Sequence, residues 1–271
     1  MSTRRIVRVA LALVVMVYPV LWMIANSFKT SAEIFGSASQ LPESPTRENY
    51  VRGWQYTGRL TFTTFFMNST IYALLATVAA VLSSSLIAYG FARIPFVGRK
   101  FFYGCMIATM LIPFQVLMVP QFIIFHKLGW VNTFLPLIVP LLGGFPFSIF
   151  LMVQFIRGIP VELDNSAKID GCSRFQIYSR IILPLIKPAL ITSTIFSFYW
   201  RWDDFLGPLL CLNRPRLFTV SLALRMFADP QTATDWPAIF AMGTLSLLPI
   251  VVIFLFFQKY IVQGIATTGL K

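Results

Sequence analysis

The chain has 271 residues, of which 57% are hydrophobic and only 12% charged, with a formal net charge of +12. A soluble domain carries about 25% charged residues, so this one has more apolar surface than a water-facing fold can hide, and lipid must take up the excess. The positive charge does not point to nucleic acid, because the basic residues sit beside the ends of apolar runs rather than along one soluble face, and anionic lipid head groups account for them there.

In chain order, Arg4, Arg5 and Arg8 precede an apolar run predicted to span from about residue 9 to 28. The run continues into Asn26-Ser27-Phe28-Lys29 with no small-x-small cleavage site, so it reads as a permanent helix rather than a removed signal. Residues 29–65, with Pro42, Pro45, Gly53 and Gly58, read as an outer loop containing short helical turns. A second span is predicted over 66–92, where Ser83, Ser84 and Ser85 permit close helix contact. The third covers 101–125 with Pro113 and Pro120, and the fourth 134–156 with Pro136, Pro140, Gly143, Gly144 and Pro146. The fifth covers 185–206, and the sixth 236–258 with Pro249. Breakers at membrane depth free backbone groups that protein or a water-filled cavity must satisfy, which suits either kinked packing or a bundle that moves.

The expected fold is therefore all-α: one membrane domain over residues 1–271 with six transmembrane helices. If the N-terminus is cytoplasmic, the inner segments (1–8, 93–100, 157–187 and 259–271) hold 13 Lys and Arg in 60 residues. The outer segments (29–65, 126–133 and 207–235) hold 8 in 74, so the positive-inside rule places both termini inside. Cys105, Cys172 and Cys211 fall in three different compartments of this scheme, which disfavours a disulfide. No metal-ligand spacing is present, and the single His126 reads as an interfacial polar residue. There is no Gly-x-x-x-x-Gly-Lys-Ser/Thr loop, so nucleotide chemistry by that route must come from a partner.

Between helices four and five lies a segment, 157–184, too polar to cross a bilayer and too patterned for a slack linker. Pro160 suits a first helical turn, and Glu162 and Asp164 put negative charge on its positive end. Gly171 can stop that helix in the left-handed conformation, and Ser173-Arg174-Phe175-Gln176 has the capping-box pattern of a second helix, expected to run to Leu183 before Pro184. Ile159, Leu163 and Ala167 are expected on one stripe, with Asn165, Lys168 and Asp170 elsewhere. Patterning alone leaves two readings: a rigid lever for a soluble motor, or an interfacial element that only ties two spans together.

This segment closely resembles the EAA loop of ABC-importer permeases, in which Glu-Ala-Ala, two residues, an acidic residue and Gly are followed by nine residues and Ile-x-Leu-Pro. Here the chain reads Asn165-Ser166-Ala167-Lys168-Ile169-Asp170-Gly171, nine residues, then Ile181-Ile182-Leu183-Pro184, with Asn165 and Ser166 replacing the usual Glu and Ala. Further resemblance to the carbohydrate subgroup, similar to the maltose permease's smaller subunit and the glycerol-3-phosphate permeases, lies in several marks. These are Asn26-Ser27-Phe28-Lys29, Asn49-Tyr50, Asn68-Ser69, Ile112-Pro113, Leu128-Gly129-Trp130-Val131-Asn132-Thr133, and the tail from Gln258 to Gly269-Leu270-Lys271.

The resemblance implies a non-catalytic pore subunit of a bacterial or archaeal plasma (inner) membrane importer. Its implied partners are an ABC ATPase dimer, a second homologous permease and an extracytoplasmic solute-binding protein that delivers a carbohydrate. No cofactor is implied on this chain, since ATP and Mg belong to the partner ATPase. The implied ATPase-coupling residues are Glu162, Asn165, Ser166, Ala167, Asp170, Gly171 and Cys172.

One knot of charge and aromatic rings, Tyr199, Trp200, Arg201, Trp202, Asp203 and Asp204, ends the fifth span. It reads as a candidate substrate pathway, because intramembrane charges are costly unless paired or facing water, or else as an aromatic belt containing an ion pair from Arg201 to Asp203 or Asp204. An importer of glycerol-phosphate or another polar solute is an alternative. An ion-coupled secondary transporter is another, but it needs a mid-membrane carboxylate, and every Asp and Glu except Asp203 and Asp204 falls in a predicted loop. A membrane enzyme would want a His, Cys or carboxylate cluster at one depth, and the pattern offers none.

Overall fold

The computed structural model describes residues 3–37, 39–55, 60–227 and 234–266, and these are helical with no strand among them. Helix α1 (Thr3–Ser27) leads through short α2 (Ser31–Gly36) and α3 (Glu48–Gln55) to the long α4 (Phe62–Arg93). Next come α5 (Arg99–Thr109) and α6 (Phe114–Lys127), then α7 (Leu135–Ile138), a 3-10 turn (Val139–Gly143) and α8 (Pro146–Arg157). The polar segment folds as α9 (Glu162–Ile169), α10 (Arg174–Ile177), a π-helical turn (Tyr178–Ile182) and α11 (Leu183–Leu185). Helix α12 (Lys187–Trp202), short α13 (Leu206–Cys211), a 3-10 turn (Pro215–Leu217), α14 (Val220–Met226) and the long α15 (Trp236–Ala266) complete the chain.

Helix α4 is the axis of the bundle, packed against α8 and α12. Its buried positions include Ala73, Ala76, Ala80, Ser84, Ser85 and Ala88, small residues that let neighbouring backbones approach closely, as association within lipid requires. The serines expected to mediate such contact do so. Ser83 Oγ donates to the Leu141 carbonyl (2.8 Å), and Ser84 Oγ accepts from the Phe145 amide (2.8 Å). These are backbone groups released where the fourth apolar run breaks between α7 and α8, so α4 satisfies the polar groups that this break exposes.

The break turns on Gly144, whose φ is +90°. A Cβ there would also lie 2.7 Å from Ile87 Cδ1 and 2.9 Å from Ile149 Cδ1. The neighbours are flexible tips, so the backbone strain dominates: with ψ at 159° the residue lies in a region nearly confined to glycine, and Gly144→Ala is expected to cost about 1–3 kcal/mol. The measurable outcome is a melting temperature in detergent lowered by about 2–12 °C.

Three helical stretches are long and apolar enough to cross a membrane, at 62–93, 135–157 and 236–258. Two bent pairs qualify if each counts as one span: α5 with α6, at 101°, and the 174–185 helix with α12, at 77°. Helix α1 contributes a shorter apolar stretch, Leu11–Ser27, and packs on α15 through the edge-on Trp22 and Phe240 rings (5.3 Å).

The run predicted as a third span over 101–125 folds as two helices joined by a sharp bend, because Pro113 lacks an amide proton and drives Ile112 out of helical conformation. Pro120, by contrast, stays inside α6. Within the stretch predicted as a fifth span over 185–206, α12 runs between the bend at Ile186 and Asp203. The loop predicted over 29–65 does contain short helices. Buried Asn49 holds α3 there by donating to the Ser27 and Lys29 carbonyls (2.8 Å each). Asn68 likewise ties α4 to the Arg216 and Phe218 carbonyls. The side chains of Arg4 and Arg5 and the tail at Gly269-Leu270-Lys271 lie outside the described residues.

Candidate functional site

The polar segment is a two-helix elbow set against the end of α4. Glu162 and Asp164 occupy the first turn of α9, where carboxylates suit the helix dipole. The helix ends at Gly171 with φ +81°, its amide bonding to the Lys168 carbonyl (3.1 Å), while the Cys172 amide bonds to Ala167 (2.9 Å). This pair is the Schellman arrangement, which fixes the exit direction of the chain.

A capping box follows. Ser173 Oγ accepts from the Gln176 amide (3.3 Å), and Gln176 Oε1 accepts from the Ser173 amide (2.7 Å). Two closed caps separated by one residue make a stiff joint. The second helix does not stop at Leu183 as expected. The π-helical turn at 178–182 carries it through Pro184 to Leu185, and the bend comes at Ile186.

Two of the expected coupling residues, Ala167 and Cys172, face inward, while Glu162, Asn165, Ser166, Asp170 and Gly171 are exposed. Asn165 is paired only locally, its Oδ1 accepting from Lys168 Nζ (3.4 Å). The predicted stripe needs correction, because Leu163 is 43% exposed and the inward positions are Asp164 and Ala167, one helical turn apart. Leu163 belongs instead to an apolar crown with Val161, Ile169 (87% exposed) and Phe175 (68% exposed). Apolar side chains crowning a polar elbow suit a protein partner.

Asp164 holds its expected place in the first turn, but its burial was not foreseen, and Arg93 is the residue that sequence reasoning missed. Asp164 Oδ2 lies 3.3 Å from Arg93 Nε, with the two side chains 5% and 7% exposed. Arg93 Nη2 also donates to the Ile159 carbonyl (2.6 Å). The available signal was the spacing, since a carboxylate three residues before buried Ala167 shares its inward face and must find a cation.

At the other end of α4, the six-residue knot is divided among different surroundings. Asp204 and Arg201 line a cavity of about 500 Å³ together with Tyr72, Gln121 and Phe145. Tyr72 Oη donates to Asp204 Oδ2 (2.7 Å), and Asp204 Oδ1 accepts from the Gly207 amide (3.1 Å), capping α13. The Arg201 guanidinium sits 5.2 Å over the Phe145 ring, and its buried Nε has no hydrogen-bond partner. Among the described residues Arg201 makes no ion pair with Asp203 or Asp204.

The remaining members do not reach this cavity. Trp202 is buried, donating from Nε1 to the Ser246 carbonyl (2.9 Å) and stacking on Phe198. Trp200 packs on Phe145, Phe147 and Phe196. Tyr199 borders an apolar crevice between α12 and α15, and Asp203 a separate hollow beside Ser221 and Ser246. Cys211, at the cavity edge in α13, is buried, and burial together with nearby Asp204 pushes its thiol up to about 11.

A bundle of apolar helices with a capped polar elbow and a charged cavity suits a transport permease. The chain belongs to the family described as binding-protein-dependent transport system inner membrane component, whose model matches residues 84–267. It is a permease subunit and not itself catalytic.

It is 36% identical over 262 residues to the probable ABC transporter permease protein YurM of Bacillus subtilis (strain 168), covering 96% of this chain and 86% of that one. It is 33% identical over 258 residues to the arabinooligosaccharides transport system permease protein AraQ of Halalkalibacterium halodurans, covering 94% and 91%. Its fold matches a chain of a bacterial ABC transporter involved in the import of the acidic polysaccharide alginate, with a TM-score of 0.84, 20% identity and 94% coverage of both chains.

Proposed function

We propose that this chain is a pore subunit of an ATP-driven, binding-protein-dependent importer for a carbohydrate. One observation carries the reading: the elbow is closed at Gly171 and Ser173 by complementary caps and presents exposed Val161, Leu163, Ile169 and Phe175 beyond the bundle. A flexible loop would dissipate a push, whereas this element transmits it.

In this reading a separate ATPase dimer holds ATP and Mg and closes on the elbow through Glu162, Asn165, Ser166, Asp170 and the apolar crown. Gly171, Ala167 and Cys172 keep the elbow's shape. A second homologous permease completes the pore, and an external solute-binding protein supplies the sugar. The chain crosses the membrane six times, with both termini cytoplasmic and α1 as the first crossing. The sugar passes the cavity bounded by Tyr72, Arg201 and Asp204, whose donors and acceptors suit hydroxyl groups while Phe145 offers a ring face to C–H surfaces. The carbohydrate assignment is supported by the substrate named for the AraQ relative.

The test is ATP hydrolysis by the purified complex in vesicles, with its binding protein and a panel of radiolabelled arabino- and malto-oligosaccharides. At least one sugar is expected to stimulate hydrolysis severalfold and to accumulate inside only with ATP. Accumulation at the same rate without nucleotide would overturn the reading.

A further inference from the structure

Helix α4 touches both working ends of the molecule. Ser85, Tyr89 and Arg93 are spaced by four residues and so form one stripe along its last two turns. Each meets the elbow: Ser85 Oγ bonds to Tyr178 Oη (2.6 Å), the Tyr89 ring lies 5.5 Å from the Tyr178 ring, and Arg93 pairs with Asp164 while donating to Ile159. Tyr72, 21 residues earlier and about 31 Å away along the axis, holds Asp204 at the outer cavity.

Among the described residues no other span shares this construction. Helix α4 runs 32 residues without proline, whereas α1 contains Pro19, α15 contains Pro249, and the apolar run of α7 and α8 is interrupted at Gly144. Two further candidates are bent by 101° and 77°. Helix α12 follows the elbow covalently, but only through the bend at Ile186, where rotation can be absorbed. Helix α4 is gripped by a buried ion pair whose charges cannot separate cheaply in low dielectric.

Building on the importer reading, we infer that α4 is the rod carrying motion from the elbow to the cavity, and that Arg93 and Asp164 are its positioning residues. Arg93 Nε and Asp164 Oδ1 make no hydrogen bond to the protein here, so the joint is held by charge and has room to re-form at another angle. Displacing Asp164 shifts Arg93, and a proline-free helix passes that shift to Tyr72 and hence to Asp204.

The experiment uses the complete complex in vesicles with Met67→Cys, at the exposed outer end of α4. Maleimide labelling of that cysteine is read by mass spectrometry of its own peptide, with and without ATP plus vanadate, beside ATP hydrolysis. In the otherwise native chain, nucleotide is expected to change the labelling rate at least threefold. Arg93→Met is expected to leave hydrolysis within twofold while removing this response, and the exchange Arg93→Asp with Asp164→Arg to restore at least half of it. If Arg93→Met fails to assemble, Asp164→Asn, which keeps the size of the side chain and removes its charge, is expected to reduce the response.

An unchanged response in an assembled Arg93→Met or Asp164→Asn complex would overturn the inference, as would an outer end of α4 insensitive to nucleotide in the native chain. A native complex that shows the response but accumulates no sugar would instead overturn the carbohydrate reading and leave the rod standing.

Discussion

Replacing Gly171 with proline is expected to cut nucleotide-driven uptake by at least about tenfold while the chain remains inserted at normal abundance. The native φ of +81° is a conformation that proline, locked near −65°, cannot adopt. Proline also removes the amide that bonds to Lys168, so one of the two Schellman bonds is lost and α9 no longer meets Ser173 at a fixed angle. Space is not the issue, since nothing lies within 4 Å of the point that a Cβ would occupy at this position. Gly171→Ala therefore isolates the backbone term, about 1–2 kcal/mol, and is expected to give an intermediate rate. Uptake and membrane abundance measured for glycine, alanine and proline together decide the matter. A proline variant that transports at the native rate would rule out a rigid elbow.

The second large effect is expected at Asp204. Its carboxylate accepts from Tyr72 and from the Gly207 amide and borders the cavity, so Asp204→Asn removes the charge from hydrogen bonds worth about 1.5–3 kcal/mol each when charge-assisted. If the sugar depends on that bonding, the concentration for half-maximal uptake rises by roughly tenfold or more. Asp203→Asn, one residue away in a different hollow, is expected to leave that concentration within about twofold. Because Asp204 also caps α13, Tyr72→Phe serves as the companion change: it removes one hydroxyl and leaves the cap intact. Equal concentration dependence for the native chain, Asp204→Asn and Tyr72→Phe would return the cavity to a purely structural role.

The helical runs were legible because long uncharged stretches have few alternatives in lipid, and the elbow's two caps because Gly171 and Ser173-x-x-Gln176 each encode a local geometry. The break near Ile112-Pro113 was visible as a breaker, but its 101° bend depends on packing that one proline does not specify. The inner stripe was misread for a physical reason. Hydrophobicity nominated Leu163, whereas a paired carboxylate, Asp164, takes the inward place, and its partner Arg93 lies 71 positions earlier. The aromatic knot misled differently. Successive helical residues diverge in direction, and the chain leaves α12 at Asp203, so neighbours in sequence reach separate hollows.

Cys211 has a practical consequence for anyone probing this protein with thiol reagents. Burial and the nearby Asp204 push its thiol up to about 11, so very little of it is ionised at neutral pH, whereas Cys105 is exposed. The native sequence thus holds a dormant sulfur beside the cavity, and alkylation there would time how often that corner of the bundle breathes open, with no foreign probe attached.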